Sequence, residues 1–182
     1  MHIRTDQIKA DGLTLEFEEM ADVFPVLSEM ITRCECQFVA PIKTALRAIR
    51  IGDMIEVTGR IETQVRLPCG RCLEEYEPPI NSHFDLTYVQ RIPGAPEDKQ
   101  LEEIELKAAD MGLIYFEGEE IDLREGIQEQ VIMAFPIKAL CRENCKGLCA
   151  SCGHDLNKGD CGCGRQPPNS KFAVLKNLKL QT

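Results

Sequence analysis

Six of the ten cysteines in this 182-residue chain fall within one 23-residue stretch, Cys141-x3-Cys145-x3-Cys149-x2-Cys152-Gly153 followed by Cys161-x-Cys163-Gly164. Almost no apolar residue lies between Cys141 and Gln166, so this stretch cannot build a core of its own and needs another source of folding energy. The N-terminus carries no apolar leader and no run of 18 apolar residues, which makes a cytoplasmic chain with no membrane association the expectation. In a reducing compartment such a cluster reads as metal-binding rather than as a disulfide framework. A C-x2-C-G step suits a metal knuckle: two thiolates reach one ion at about 2.3 Å, and the glycine permits a turn that brings backbone amides toward the sulfurs. Tetrahedral thiolate coordination favours structural Zn²⁺.

A further C-x2-C, Cys69-Gly70-Arg71-Cys72, lies upstream. Eight thiolates would fill two tetrahedral sites, so one or two zinc ions are expected on Cys69, Cys72, Cys141, Cys145, Cys149, Cys152, Cys161 and Cys163. The favoured partition joins Cys149, Cys152, Cys161 and Cys163 in one site and Cys69, Cys72, Cys141 and Cys145 in the other, with other partitions of the same eight open. Cys69 and Cys72 could instead be a redox dithiol, but such motifs open a helix after a strand, and here Pro78-Pro79 and a strand period follow. His154 could replace a thiolate; an exposed loop histidine is the simpler reading. Cys34 and Cys36 read as small hydrophobes on one face of a strand.

Period-two alternation of apolar residues marks strands at Leu13–Phe17, Phe38–Ile51, Ile55–Leu67 and Tyr76–Tyr88, with the first cysteine pair at a hairpin tip and Pro78-Pro79 pointing to an edge strand. A short helix is expected after Pro25. Residues 91–103 carry Pro, Gly and charge without period and read as a mobile surface loop. Leu113–Phe116 and Ile121 are expected to pair across Glu117-Gly118-Glu119. A capping box of Asp122 and Glu125 opens a helix through Leu123, Ile127, Val131 and Ala134 that Pro136 ends. The fold class is therefore α+β: a β-rich antiparallel sheet or partial barrel with one packed helix and a C-terminal cysteine-rich zinc-binding segment.

Charge divides the chain at the same place. Residues 138–182 hold eight basic and three acidic side chains, a formal +5 that leaves −14 for residues 1–137 out of the net −9. Two domains follow, an acidic β-rich core over 1–137 and a basic cysteine-rich segment over 138–182 that closes with a short amphipathic helix near 170–180. No phosphate-cradling glycine loop, metalloprotease motif or nucleophile with a base is present, so no enzyme, no catalytic residue and no small-molecule substrate are expected.

The strand entering Cys69-Gly70-Arg71-Cys72-Leu73, the Ile121-Asp122-Leu123-Arg124-Glu125 helix start, the block Cys141-x3-Cys145-Lys146-Gly147-Leu148-Cys149-x2-Cys152-Gly153-x-Asp155-Leu156-Asn157 with Cys161-x-Cys163, and the final Phe172-Ala173-x-Leu175-x-x-Leu178 resemble the YceD-like family. These are bacterial and plastid proteins associated with accumulation of the large-subunit ribosomal RNA. Where that family commonly has Asp-Pro-Arg ahead of the last helix, Asn169-Ser170-Lys171 stands here, and some members lack the C-terminal cysteines. The resemblance implies a non-enzymatic part in large ribosomal subunit biogenesis, with ribosomal RNA or a large-subunit ribosomal protein as partner. Candidate RNA contacts are Lys146, Lys158, Arg165, Lys171, Lys176 and Lys179; a protein-only assembly adaptor is the alternative.

Overall fold

The computed structural model describes residues 1–91 and 112–163. In chain order the strands are β1 (His2–Arg4), β2 (Leu13–Glu19), β3 (Gln37–Phe38), β4 (Ile42–Ile51), β5 (Met54–Pro68), β6 (Glu75–Tyr76), β7 (Pro79–Gln90), β8 (Leu113–Phe116) and β9 (Glu120–Asp122). The helices are α1 (Pro25–Thr32) and α2 (Arg124–Met133). Two compact units result: Met1–Leu67 with 77–91 and 112–137, and Pro68–Tyr76 with 138–163. Division by chain order alone leaves 68–76 with the sheet; spatial proximity groups it with the cysteine segment.

In the first unit an open sheet runs β2-β4-β5-β7-β8, with β3 also paired to β5. Long strands with strict alternation bury one face. Ile42, Leu46 and Ala48 on β4, Ile55, Val57 and Ile61 on β5 and Phe84, Leu86 and Tyr88 on β7 meet Phe24 and Leu27 from the α1 side and Leu123, Ile127 and Val131 from the α2 side. Each such side chain contributes roughly 1.5–3 kcal/mol by leaving water. The Val26 backbone N–H donates to Gln128 Oε1 at 2.8 Å, which pins α1 to α2. None of the helices among the described residues is long and apolar enough to cross a membrane.

Four local expectations are corrected. Leu113–Phe116 does not pair with Ile121: β8 runs parallel to β7, and β9 pairs antiparallel with β1. Gly118, at φ +77°, turns the chain from one sheet to the other. The parallel pair requires a long connection, and residues 92–111 supply the length. Pro78-Pro79 marks an edge only for the first part of β7: among the described residues Pro79–Leu86 pair with β5 alone, and from Thr87 the strand pairs with β8 as well. The helix α2 starts one residue later than a box built on Asp122 requires, because Leu123 is the N-cap and Asp122 Oδ1 accepts from the Arg124 N–H at 3.0 Å. Cys34 and Cys36 share no strand. The α1 terminus places Cys34 at φ +56°, exposed, while Cys36 is buried. The expected loop over 91–103 lies, apart from Arg91, outside the described residues, as does the terminal helix near 170–180.

One glycine sets the spacing of the central strands. Leu15, Leu46, Gly59 and Phe84 form one inward row across β2, β4, β5 and β7. A Cβ at Gly59 would stand 2.5 Å from the Ala45 carbonyl oxygen, 2.8 Å from Phe84 Cζ and 2.9 Å from Leu46 Cα, so the β4 backbone and an aromatic ring occupy its place. Gly59→Ala is expected to cost about 2 kcal/mol or more by overpacking, read as a lower urea midpoint with an unchanged m-value. An unchanged midpoint would show that the row tolerates a methyl group.

Candidate metal centres

The second unit is built from two turns with the same backbone pattern. In the connection from β5 to β6, the Cys69 N–H donates to the Glu74 carbonyl and the Leu73 N–H to the Cys69 carbonyl, both at 2.9 Å. In the second turn the Cys149 N–H donates to the His154 carbonyl at 2.8 Å and the Gly153 N–H to the Cys149 carbonyl at 2.9 Å. Each turn needs a left-handed residue just after its second cysteine: Gly153 at φ +74° in one, Leu73 at φ +62° in the other. Glycine adopts that conformation freely; leucine carries a steric cost there.

The first turn is fastened to residues 138–148 by backbone bonds. Gly70 N–H donates to the Ala139 carbonyl at 2.7 Å and Leu148 N–H to the Arg71 carbonyl at 3.0 Å. The Arg71 guanidinium donates to the Cys145 carbonyl at 2.8 Å. Gly147 lets the two segments close, since a Cβ there would lie 3.0 Å from the Arg71 carbonyl oxygen. These bonds gather Cys69, Cys72, Cys141 and Cys145, and the second turn with the chain that follows gathers Cys149, Cys152, Cys161 and Cys163. Within each quartet all four sulfurs lie within 4.8 Å of one another, so each could hold a metal ion.

The distances suit a tetrahedral ion. Four sulfurs about 2.3 Å from a common centre stand roughly 3.8 Å apart. Cys69 Sγ and Cys145 Sγ are 3.8 Å apart, and Cys72 Sγ and Cys141 Sγ 3.7 Å. These separations are far beyond a disulfide bond, and all ten cysteines are free. The quartets differ in exposure. Cys69, Cys72 and Cys145 are buried, with Tyr76, Leu140, Cys141 and Leu148 packed around them. In the second quartet Cys152 and Cys163 are exposed and Cys149 and Cys161 half-buried.

Backbone amides prepare each turn's first sulfur to be a thiolate. Hydrogen bonding involving the backbone at Cys141 and Cys72 lowers the Cys69 thiol to about 6. The turn amides of Cys152 and Ser151 lower Cys149 to about 6. Burial and the neighbouring Cys72 sulfur push Cys141 up to about 12, and the Cys152 sulfur does the same for Cys163. Without a cation, negative charge crowded onto a few sulfurs keeps the others protonated; a divalent ion reverses that balance.

Of the other expected site residues, Lys146 is exposed, and Lys158 is held by Glu74 and by Asp155 at 3.8 Å. Arg165, Lys171, Lys176 and Lys179 lie outside the described residues. The His154 side chain joins neither quartet, and Cys69-x2-Cys72 opens no helix of the redox-dithiol kind. Asn157 was not legible as a site residue: its Nδ2 donates to Cys145 Sγ at 3.4 Å. Replacing Leu73 by glycine removes the left-handed strain from the first turn. Leu73→Gly is expected to leave the quartet intact and raise stability by up to about 1 kcal/mol in chemical denaturation, whereas a loss would show that the Leu73 side chain carries packing of its own.

The model of a family described as large ribosomal RNA subunit accumulation protein YceD matches residues 57–179. The chain is 29% identical over 158 residues to the large ribosomal RNA subunit accumulation protein YCED homolog 1, chloroplastic, of Arabidopsis thaliana, which spans 78% of this chain and 49% of that protein. It is 25% identical over 144 residues to the protein of the same description from Zea mays, covering 68% and 48%. An uncharacterized protein of Mycobacterium tuberculosis is 30% identical over 114 residues, covering 61% and 49%. The chain thus spans about half the length of these curated relatives. No solved structure matches it. Because the family match takes in more than half of the chain and every cysteine of both quartets, the protein belongs to the YceD family.

Proposed function

We propose that this protein is a non-enzymatic factor in the accumulation of large-subunit ribosomal RNA and that it folds its cysteine unit around two structural Zn²⁺ ions. The observation that carries the metal reading is the pair of all-sulfur quartets, each with its sulfurs within 4.8 Å of one another and the first with Sγ–Sγ distances of 3.7 and 3.8 Å. Four protein ligands leave a zinc ion no open position for water or substrate, so the centres supply folding energy rather than Lewis-acid chemistry. The ribosomal reading is supported by family membership. We expect action in the cytoplasm; a relative is described as chloroplastic.

Charge directs the partner contact. Each zinc with four thiolates is formally −2, and Lys158 is already engaged by Glu74 and Asp155. The contact with RNA phosphates therefore rests on Lys146 and on Arg165, Lys171, Lys176 and Lys179, in a stretch without an acidic residue after Asp160. Phe172 is the sole aromatic residue after Phe135, so the contact is made to phosphates rather than to stacked bases. A second reading is favoured by the acidic 1–137 segment, which suits a basic ribosomal protein as partner and makes the chain an assembly adaptor.

Native mass spectrometry is expected to find two zinc ions per chain and one in Cys72→Ser. Chelation is expected to abolish protease resistance across 138–163 while the sheet keeps its far-ultraviolet signal; one ion or none in the parent chain would reject the two-centre reading. In mobility titrations with fragments of large-subunit ribosomal RNA, binding should weaken steeply with salt. Changing Lys171, Lys176 and Lys179 to Glu should weaken it at least tenfold at low salt, on the order of what three lost phosphate contacts cost. Binding that is absent at low salt, or indifferent to those changes, rejects the RNA contact and leaves the adaptor.

A further inference from the structure

The two quartets are joined by more than chain connectivity. Between Cys145 and Lys158 the chain forms a short hairpin: Leu148 bridges Asp155 antiparallel, and the Leu156 N–H donates to the Gly147 carbonyl at 2.9 Å. The tip of that hairpin is the Cys149–His154 turn, half of the second quartet. Its base carries Cys145 of the first quartet on one side and Asn157 on the other.

Every polar atom of the Asn157 side chain is committed at that base. Oδ1 accepts from the Lys146 N–H at 2.8 Å. Nδ2 donates to Asp155 Oδ1 at 2.7 Å and to Cys145 Sγ at 3.4 Å. The Asn157 backbone N–H donates to Asp155 Oδ1 at 2.9 Å, which fixes the direction of the side-chain donor. Asn157 also falls between Cys152 and Cys161 in the chain, inside the loop that an ion in the second quartet must close. An ion there draws both ends of residues 152–161 together and narrows the positions open to Asn157. A hydrogen bond to a ligand sulfur stabilises the thiolate and fixes its direction.

We propose that the two metal centres are energetically coupled through Asn157, whose side-chain amide carries closure of the second quartet to Cys145 of the first. Asn157 is a positioning residue and touches no metal. The coupling is reciprocal: an ion in the buried quartet strengthens the exposed one by the same factor. The exposed second quartet thereby governs how firmly the buried first quartet holds its ion. This inference rests on the two-centre reading above and adds to it a dependence that two independent sites would lack.

The test is a cobalt titration of the full chain, following thiolate-to-metal charge-transfer absorption in competition with a chelator, with ion counts by native mass spectrometry. The parent chain, Asn157→Asp, the double variant Cys152→Ser/Cys163→Ser and their combination form a cycle. Asn157→Asp keeps an acceptor for the Lys146 N–H and removes the donor but adds a charge beside Asp155 and Cys145, so Asn157→Leu, which has neither donor nor charge, repeats the cycle. Disabling the second quartet is expected to weaken the first about tenfold where Asn157 is present, the scale of a lost ligand-orienting contact. Where it is replaced, the loss should fall below about twofold. Equal losses in both backgrounds, or none in either, overturn the coupling while leaving two metal centres in place. A parent chain that binds no second ion overturns the two-centre reading and the coupling together.

Discussion

Four sulfurs within 4.8 Å of one another, close enough to share a tetrahedral ion, meet in a part of this chain with little apolar packing. Among the described residues, Tyr76, Leu140, Cys141 and Leu148 supply the apolar packing around Cys69, Cys72 and Cys145, far less than the sheet unit gathers around Phe84 and Tyr88. Backbone bonds from Gly70, Arg71 and Leu148 place the sulfurs, but like-charged thiolates at 3.7–3.8 Å repel unless a cation sits among them. The turn amides, the Arg71 guanidinium and the Asn157 amide all orient ligands, and none of them can neutralise four thiolates. An ion bound there and the turns would thus be two halves of one folding element.

The sheet unit works by other means. Its strands are long, alternate strictly and meet two helices on one face, so burial alone accounts for their order. Gly59 and Gly126 mark where that packing is tightest. A Cβ on Gly126 would lie 2.8 Å from Leu86 Cδ1 and 2.9 Å from Tyr88 Oη, which brings α2 down onto β7. Both glycines sit inside regular elements at a cost in conformational entropy, and in both places close approach of neighbouring elements requires it.

What could be read from the residues and what could not follows physical range. Period two over β4, β5 and β7 was legible because each strand records its own buried face in the side chains it carries. The cysteine partition was legible because knuckle spacing is local and tetrahedral sites need ligands in fours. The parallel pairing of β8 was not, since Leu113–Phe116 carries no mark of its partner and the nearest turn, at Gly118, reads equally as a hairpin. Cys34 was misplaced because a left-handed non-glycine at a helix end leaves no compositional trace. Asn157 was quoted in the motif but not read as a ligand-orienting residue, for its partners Lys146, Asp155 and Cys145 are set by a hairpin that no periodicity announces.

The first quartet also has a meaning for the unfolded chain. It unites Cys72 with Cys141 across the part of the chain that carries β7, β8, β9 and α2, so an ion held there would close a loop of roughly 70 residues. By the loop-entropy relation a cross-link of that span disfavours the unfolded ensemble by on the order of 4 kcal/mol, the stabilisation a disulfide would give. During synthesis the same geometry imposes an order: every strand of the sheet leaves the ribosome before Cys141 does. An ion bound there would act as a latch on a chain whose other long-range pairings already have their partners, and unlike a disulfide such a latch is not opened by reduction.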